Sequence, residues 1–122
     1  MKFYKCTHCG NVAIKLHDAG VPLVCCGEKM SELVAGTTDG AAEKHVPVVR
    51  QEKNKIIVEV GSVKHPSLNE HYISFIALET DREKRIVELK AGDDPHAEFV
   101  LADGEKMVAV YEYCNLHGLW KA

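Results

Sequence analysis

The stretch Cys114-Asn115-Leu116-His117 closes a long apolar run and sets a thiol three residues before an imidazole. Neither residue makes a metal site alone. Upstream, His45 stands in Glu43-Lys44-His45-Val46-Pro47, His65 in Lys64-His65-Pro66 and His71 in Asn69-Glu70-His71-Tyr72. Together these residues offer four imidazole nitrogens and one sulfur. Structural zinc is closed by four ligands, so a five-donor set of this kind suits a redox metal better. Taken singly, each histidine is more often a surface or hydrogen-bonded residue than a ligand. His65 precedes a proline, which biases it to extended backbone, and His45 and His71 stand where loops meet predicted strands. All five donors therefore fall at strand ends or in loops, where a β architecture can gather them at one end.

A second donor set lies near the start of the chain. Cys6-Thr7-His8-Cys9 is a C-x-x-C knuckle, and fifteen residues later comes the adjacent pair Cys25-Cys26. Four thiolates make a tetrahedral all-sulfur site for zinc or a single iron. Adjacent cysteines cannot form the usual two-residue loop around a metal, so the spacing predicts a distorted tetrahedron. Buried free thiols or a disulfide are the competing reading. The total of five cysteines is odd, and Met1-Lys2-Phe3-Tyr4-Lys5 has no apolar leader core; both argue for metal thiolates in a reducing compartment. His8 inside the knuckle, together with His17 and His96 in polar turn-like contexts, reads as solvated.

The elements that must position these donors follow from composition and pattern. With 122 residues, 46% of them hydrophobic, the chain supports one core and a small appendage. A net charge of −3 gives no reason to expect nucleic acid or an anionic membrane as partner. No apolar run approaches the roughly 20 residues of a membrane helix. Residues 1–36 hold four of the five cysteines but too few large apolar side chains for a core, so this unit needs a staple. Residues 36–42 are small and polar and read as a linker. Residues 37–122 form the second domain.

From Val46 onward the pattern is β throughout. Runs at 46–49, 55–60, 71–78, 85–89, 97–101 and 107–113 are rich in β-branched and aromatic residues, with breakers between them. Short strands at near-regular spacing predict an antiparallel sandwich or barrel. No helix of three turns is predicted. Asp103-Gly104 predicts a hairpin between the last two of these strands.

The ordered motifs carry a family resemblance over essentially the whole chain. The N-terminal unit is similar to desulforedoxin at Cys6-Thr7-His8-Cys9-Gly10 and Val24-Cys25-Cys26-Gly27. The C-terminal part resembles neelaredoxin at Glu43–Pro47, Gly61–Pro66, Asn69–His71 and Glu112–Gly118. The whole is similar to desulfoferrodoxin, the two-iron type of superoxide reductase.

The resemblance implies two mononuclear irons, one held by Cys6, Cys9, Cys25 and Cys26. The other would have His45, His65, His71 and His117 in the equatorial plane and Cys114 as axial ligand. It implies an immunoglobulin-like β-sandwich for the second domain, a cytoplasmic homodimer and a rubredoxin-like electron donor. The implied activity is one-electron reduction of superoxide to hydrogen peroxide without dioxygen release. Glu43 is implied as a carboxylate that occupies the sixth position of the oxidised metal. Lys44 is the cation expected to attract the anionic substrate, with Lys64 beside His65 as a second candidate. Two rival readings stay open from the residues alone: a non-catalytic iron electron-transfer protein and a zinc-stabilised binding module.

Overall fold

A computed structural model describes residues 1–122. The chain folds as two compact units, Met1–Val34 and Ala35–Ala122.

In the first unit, strand β1 (Phe3–Lys5) lies between β2 (Val12–Ile14) and β5 (Ser31–Leu33), antiparallel to both. A second, two-stranded ribbon pairs β3 (Val24–Cys25) with β4 (Glu28–Lys29). Its two-residue connection is Cys26-Gly27, with φ of 52° and 76°. Positive φ at both central residues is the requirement of a type I′ hairpin turn, and glycine meets it without strain at the second position. The unit's fully buried apolar residues are Phe3 and Cys6. That is far too little burial to hold a fold of this size, so its cohesion must come from the cysteines.

The second unit opens with a single helical turn, α1 (Ala42–His45), and continues in strands: β6 (Pro47–Glu52), β7 (Lys55–Val60), β8 (Ile73–Thr80), β9 (Lys84–Glu88), β10 (His96–Val100), β11 (Met107–Cys114) and β12 (Gly118–Lys121). They form two antiparallel sheets, ordered β10-β7-β6 and β12-β11-β8-β9. Residues from both sheets share one core: Ile56, Val58 and Val60 from β7, Ala97 and Phe99 from β10, Ile73, Ile76 and Leu78 from β8, and Val110 and Cys114 from β11. A mainly β chain with no long helix is what the sequence pattern predicts, and six of the seven strands fall on the predicted runs.

Two expectations need correction. Asp103-Gly104 does not close a hairpin, because β10 and β11 belong to different sheets. The turn is real (Glu105 N–H donates to Ala102 O at 3.0 Å), but it carries the chain from one sheet to the other. The buried Glu105 carboxylate anchors it, accepting from Ala102 N–H at 2.9 Å, Thr80 O–H at 2.6 Å and Arg85 at 2.9 Å. The second correction concerns residues 36–42, which do not form a free linker. Gly36 N–H donates to Leu119 O at 2.9 Å, and Thr38 O–H donates to His117 O.

Candidate metal centres

The first donor set is assembled by local backbone geometry. In the knuckle, Cys6 N–H donates to Asn11 O and Gly10 N–H to Cys6 O, both at 2.9 Å. Cys9 N–H points at Cys6 Sγ at 3.4 Å. The β3–β4 turn delivers the other pair, with Cys9 Sγ 3.6 Å from Cys25 Sγ and Cys25 Sγ 4.0 Å from Cys26 Sγ. All four sulfurs lie within 4.8 Å of one another and all are free thiols. Metal–sulfur bonds of about 2.3 Å put the corners of a tetrahedron about 3.8 Å apart, so this spacing fits one ion and no disulfide. The Cys9 N–H holds the Cys6 thiol down at about 6. Shared hydrogen bonds, first with Cys9 and then with Cys6, push Cys26 up to about 12. Four thiols this close cannot all ionise without a cation among them.

The second donor set draws on four separate segments of the other unit. His45 ends α1, His65 lies in the loop after β7, and His71 precedes β8. Cys114 ends β11, and His117 lies in the turn to β12. A β-bulge sits beside the thiol, where the β11–β8 register shifts between Tyr113 and Cys114. Bulges of this kind re-aim a side chain at a site.

The four imidazoles form a square. Neighbouring ring centroids are 4.8 Å apart for His45–His65, 4.5 Å for His65–His71, 4.9 Å for His71–His117 and 4.8 Å for His117–His45. The His45–His71 diagonal is 6.2 Å. Adjacent rings meet edge to face, at 73° to 82°. His45 Nε2 lies 3.2 Å from His65 Nε2 and 3.1 Å from His117 Nδ1. Nitrogens bound side by side to one ion at about 2.1 Å would sit about 3.0 Å apart. Cys114 Sγ is 3.8 Å from His117 Nδ1, and the ligand atoms of His45, His65, His71 and Cys114 all lie within 4.8 Å of one another.

The surroundings prepare these groups to bind a cation. His45 Nδ1 faces Ala41 O at 2.8 Å and His65 Nδ1 faces Pro66 O at 2.6 Å. A carbonyl partner keeps the proton on Nδ1 and leaves the Nε2 lone pair facing the centre. Burial lowers the pKa of His45 and His71 and brings His65 to about 4, so these rings are neutral ligands at neutral pH. His71 Nε2 is buried without any hydrogen-bond partner. An orphaned nitrogen aimed at three other nitrogens and a thiol fits a metal ion. Cys114 is fully buried, which raises its pKa, while the His117 N–H approaches its sulfur at 3.4 Å.

Glu43 and Lys44 are both exposed on α1. The Lys44 charge is felt at His45 and His71, where it opposes protonation. Of Glu43, the backbone carbonyl does the structural joining: it accepts from Val63 N–H at 2.8 Å and Ser62 O–H at 3.2 Å, tying α1 to the His65 loop. Lys64 pairs with Asp94 at 3.0 Å, so its charge is offset. His96 pairs with Glu59 at 2.6 Å, and His8 and His17 are exposed.

Three neighbours of the site escaped sequence reasoning. Trp120 stacks on His45 and donates its indole N–H to His117 O. Asn115 bonds across to the His71 segment. Glu112 is fully buried, both carboxylate oxygens lack partners, and burial pushes its pKa to about 9. Period-two alternation with Val110 and Cys114 would have placed Glu112 on the core face.

An all-sulfur centre in a small β unit and a four-imidazole, one-thiolate centre at the end of two antiparallel sheets define a two-centre redox metalloprotein. The chain belongs to the desulfoferrodoxin family: the desulfoferrodoxin family model matches residues 37–122, and that of the desulfoferrodoxin N-terminal domain matches residues 1–33. The desulfoferrodoxin of Nitratidesulfovibrio vulgaris is 51% identical over 121 residues, covering 99% of this chain and 94% of the relative. The crystal structure of the superoxide reductase from Treponema pallidum superposes with a TM-score of 0.82 at 34% identity, covering 99% of this chain and 97% of that one. A superoxide reductase of the 1Fe-SOR type from Giardia intestinalis covers 66% of this chain and 95% of its own length, with a TM-score of 0.56 at 31% identity. The two donor sets fit two iron centres.

Proposed function

We propose that this chain is a superoxide reductase, converting superoxide with one electron and two protons to hydrogen peroxide and releasing no dioxygen. The square of four imidazoles with a buried thiol at its side carries this reading. His45, His65, His71, His117 and Cys114 would hold the catalytic iron. Cys6, Cys9, Cys25 and Cys26 would hold the other. Iron held by these five donors would supply a one-electron reductant and a position for a small anion.

The chain's own residues shape what reaches that position. Imidazole donors and a single thiolate would leave a ferrous site with net positive charge. Lys44 adds a cation on the exposed turn beside His45, raising the local concentration of an anionic substrate. Carbonyl partners at His45 and His65 fix ring orientation, so no reorganisation is needed as charge changes. With iron bound, the Cys114 thiolate would donate electron density to it. Glu43, exposed next to Lys44, is the carboxylate available to cap the oxidised site. The two units, Met1–Val34 and Ala35–Ala122, divide the work: the four-cysteine centre staples the first, and chemistry belongs to the second. The electron comes from a rubredoxin-like donor, and the protein works as a cytoplasmic homodimer; family membership supports these assignments.

A zinc-stabilised binding module is disfavoured at the second centre because zinc closes with four ligands. A pure electron relay gains nothing from a five-donor set with an open position. Metal analysis joined to an oxidative titration tests the reading. Two irons per chain and a thiolate-to-ferric band that develops on oxidation support it. Stoichiometric zinc and no optical response to oxidant contradict it.

A further inference from the structure

We propose that Asn115 is a positioning residue that sets the backbone of His71 and so joins the His71 arm of the second centre to the Cys114–His117 turn. The proposal rests on reading that centre as a metal site. His71 is flanked by two peptide groups with four hydrogen-bonding positions, and each has a partner. Glu70 O accepts from Asn115 Nδ2 at 3.1 Å, and Tyr72 N–H donates to Asn115 Oδ1 at 2.9 Å. His71 N–H donates to Leu68 O at 3.1 Å, and His71 O accepts from Leu68 N–H at 2.9 Å. One residue thus brackets His71 from the ligand turn, while Leu68 holds it from its own loop. The Asn115 backbone adds a third link, its N–H donating to Tyr72 O at 3.2 Å.

The chemistry demands an amide at this position. The bracket needs one donor and one acceptor on a short, flat side chain, because Glu70 O only accepts and Tyr72 N–H only donates. Aspartate supplies acceptors alone, and leucine supplies neither. His45 and His65 have carbonyls at Nδ1 to orient their rings. His71 is instead aimed through its backbone, with Nε2 buried and unpartnered. Since Asn115 directly follows Cys114 and lies two residues before His117, the turn that carries two donors also fixes a third from another segment.

The test is ferrous iron affinity of the second centre in the full chain, by chelator competition, together with the energy of its thiolate-to-ferric band. Asn115→Ala should weaken iron binding there roughly 10- to 100-fold, the usual loss when an outer partner of a ligand is removed. It should also shift the band and leave iron in the four-cysteine centre unchanged. Asn115→Asp should not rescue, since it sets a carboxylate oxygen against Glu70 O. In a His71→Ala background, Asn115→Ala should cost little further affinity, because its target is already gone. Asn115→Gln keeps the amide's donor and acceptor on a longer arm and should show a smaller loss of the same selective kind, which carries the test if the alanine variant does not fold. Wild-type affinity and band in Asn115→Ala, or the same fold-loss with and without His71, would overturn the proposal. Superoxide consumption by the wild type is measured separately; its absence removes the proposed function but leaves the binding result to decide the role of Asn115.

Discussion

Trp120 lies against His45 with ring centroids 4.9 Å apart and planes 23° from parallel, and its indole N–H donates to His117 O at 3.0 Å. A single side chain on the last strand thereby supports one imidazole through stacking and another through its backbone. Gly40 permits the approach, since a Cβ there would lie 3.0 Å from the Trp120 ring and 3.2 Å from His45. Trp120→Phe keeps the stack and loses the hydrogen bond, so it should cost about 1 kcal/mol of stability. Trp120→Leu loses both and should also lower iron affinity at the second centre by roughly tenfold or more. Urea denaturation and chelator competition on the two variants check the ordering.

Lys44 is the cation we propose for substrate steering. Lys44→Ala should slow the bimolecular reaction with superoxide several-fold to about tenfold and flatten its dependence on ionic strength. Lys44→Glu should slow it further. Pulse radiolysis or stopped flow over a salt series reads both effects, and an unchanged rate and salt slope would remove Lys44 from the mechanism.

Glu43→Ala separates capping from encounter. The second-order rate with superoxide should stay within about twofold of wild type, because the carboxylate is not needed for approach. The absorption band of the oxidised resting protein should move. An identical oxidised spectrum rules out Glu43 as a ligand of the oxidised metal.

Metal removal should affect the two units unequally. The first has only Phe3 and Cys6 as fully buried apolar residues, whereas the second has a core drawn from both its sheets. Stripping the metals should unfold the first unit and leave the strands of the second protected. Amide hydrogen exchange of the metal-free protein shows this directly: protection lost across β1, β2 and β5 and retained across β7, β8 and β11.

Glu105 gives a pH signature remote from the metals. The Thr80 hydroxyl, and after it the Ala102 N–H, hold the Glu105 carboxyl below its ordinary value of 4.5. The folded state therefore prefers the carboxylate. Its stabilising contribution is complete above the pKa of the unfolded carboxyl and is lost as pH falls through the lower folded value. The stability gap between wild type and Glu105→Gln should be widest near neutral pH and close on acidification below about 4.5. Denaturation curves of both proteins over this range check it; a gap independent of pH contradicts the assignment.

Much of the site was legible because its donors are rare residue types in ordered motifs. Cysteine spacing announced the first centre, and the histidines of the second stood at strand ends or in loops. The supporting groups were not legible for a physical reason: the carbonyls of Ala41 and Pro66 that orient His45 and His65 belong to no side chain. Asn115 and Trp120 act across more than forty and seventy positions of sequence respectively, distances no local pattern spans. The β strands were readable from alternation, but their sheet membership was not. Asp103-Gly104 has the residues of a hairpin turn, yet the buried Glu105 beside it sends the chain to the other sheet. Strand β12 was missed because Gly118-Leu119-Trp120-Lys121 is too short to show a period.

The most direct test of the central claim is the product balance of the iron-loaded, reduced protein mixed with a known amount of superoxide in stopped flow, with hydrogen peroxide and dioxygen both measured. Reduction predicts one hydrogen peroxide per superoxide consumed, one oxidised second centre for each, and no dioxygen. One dioxygen for every two superoxides, or no consumption above the spontaneous rate, would contradict it.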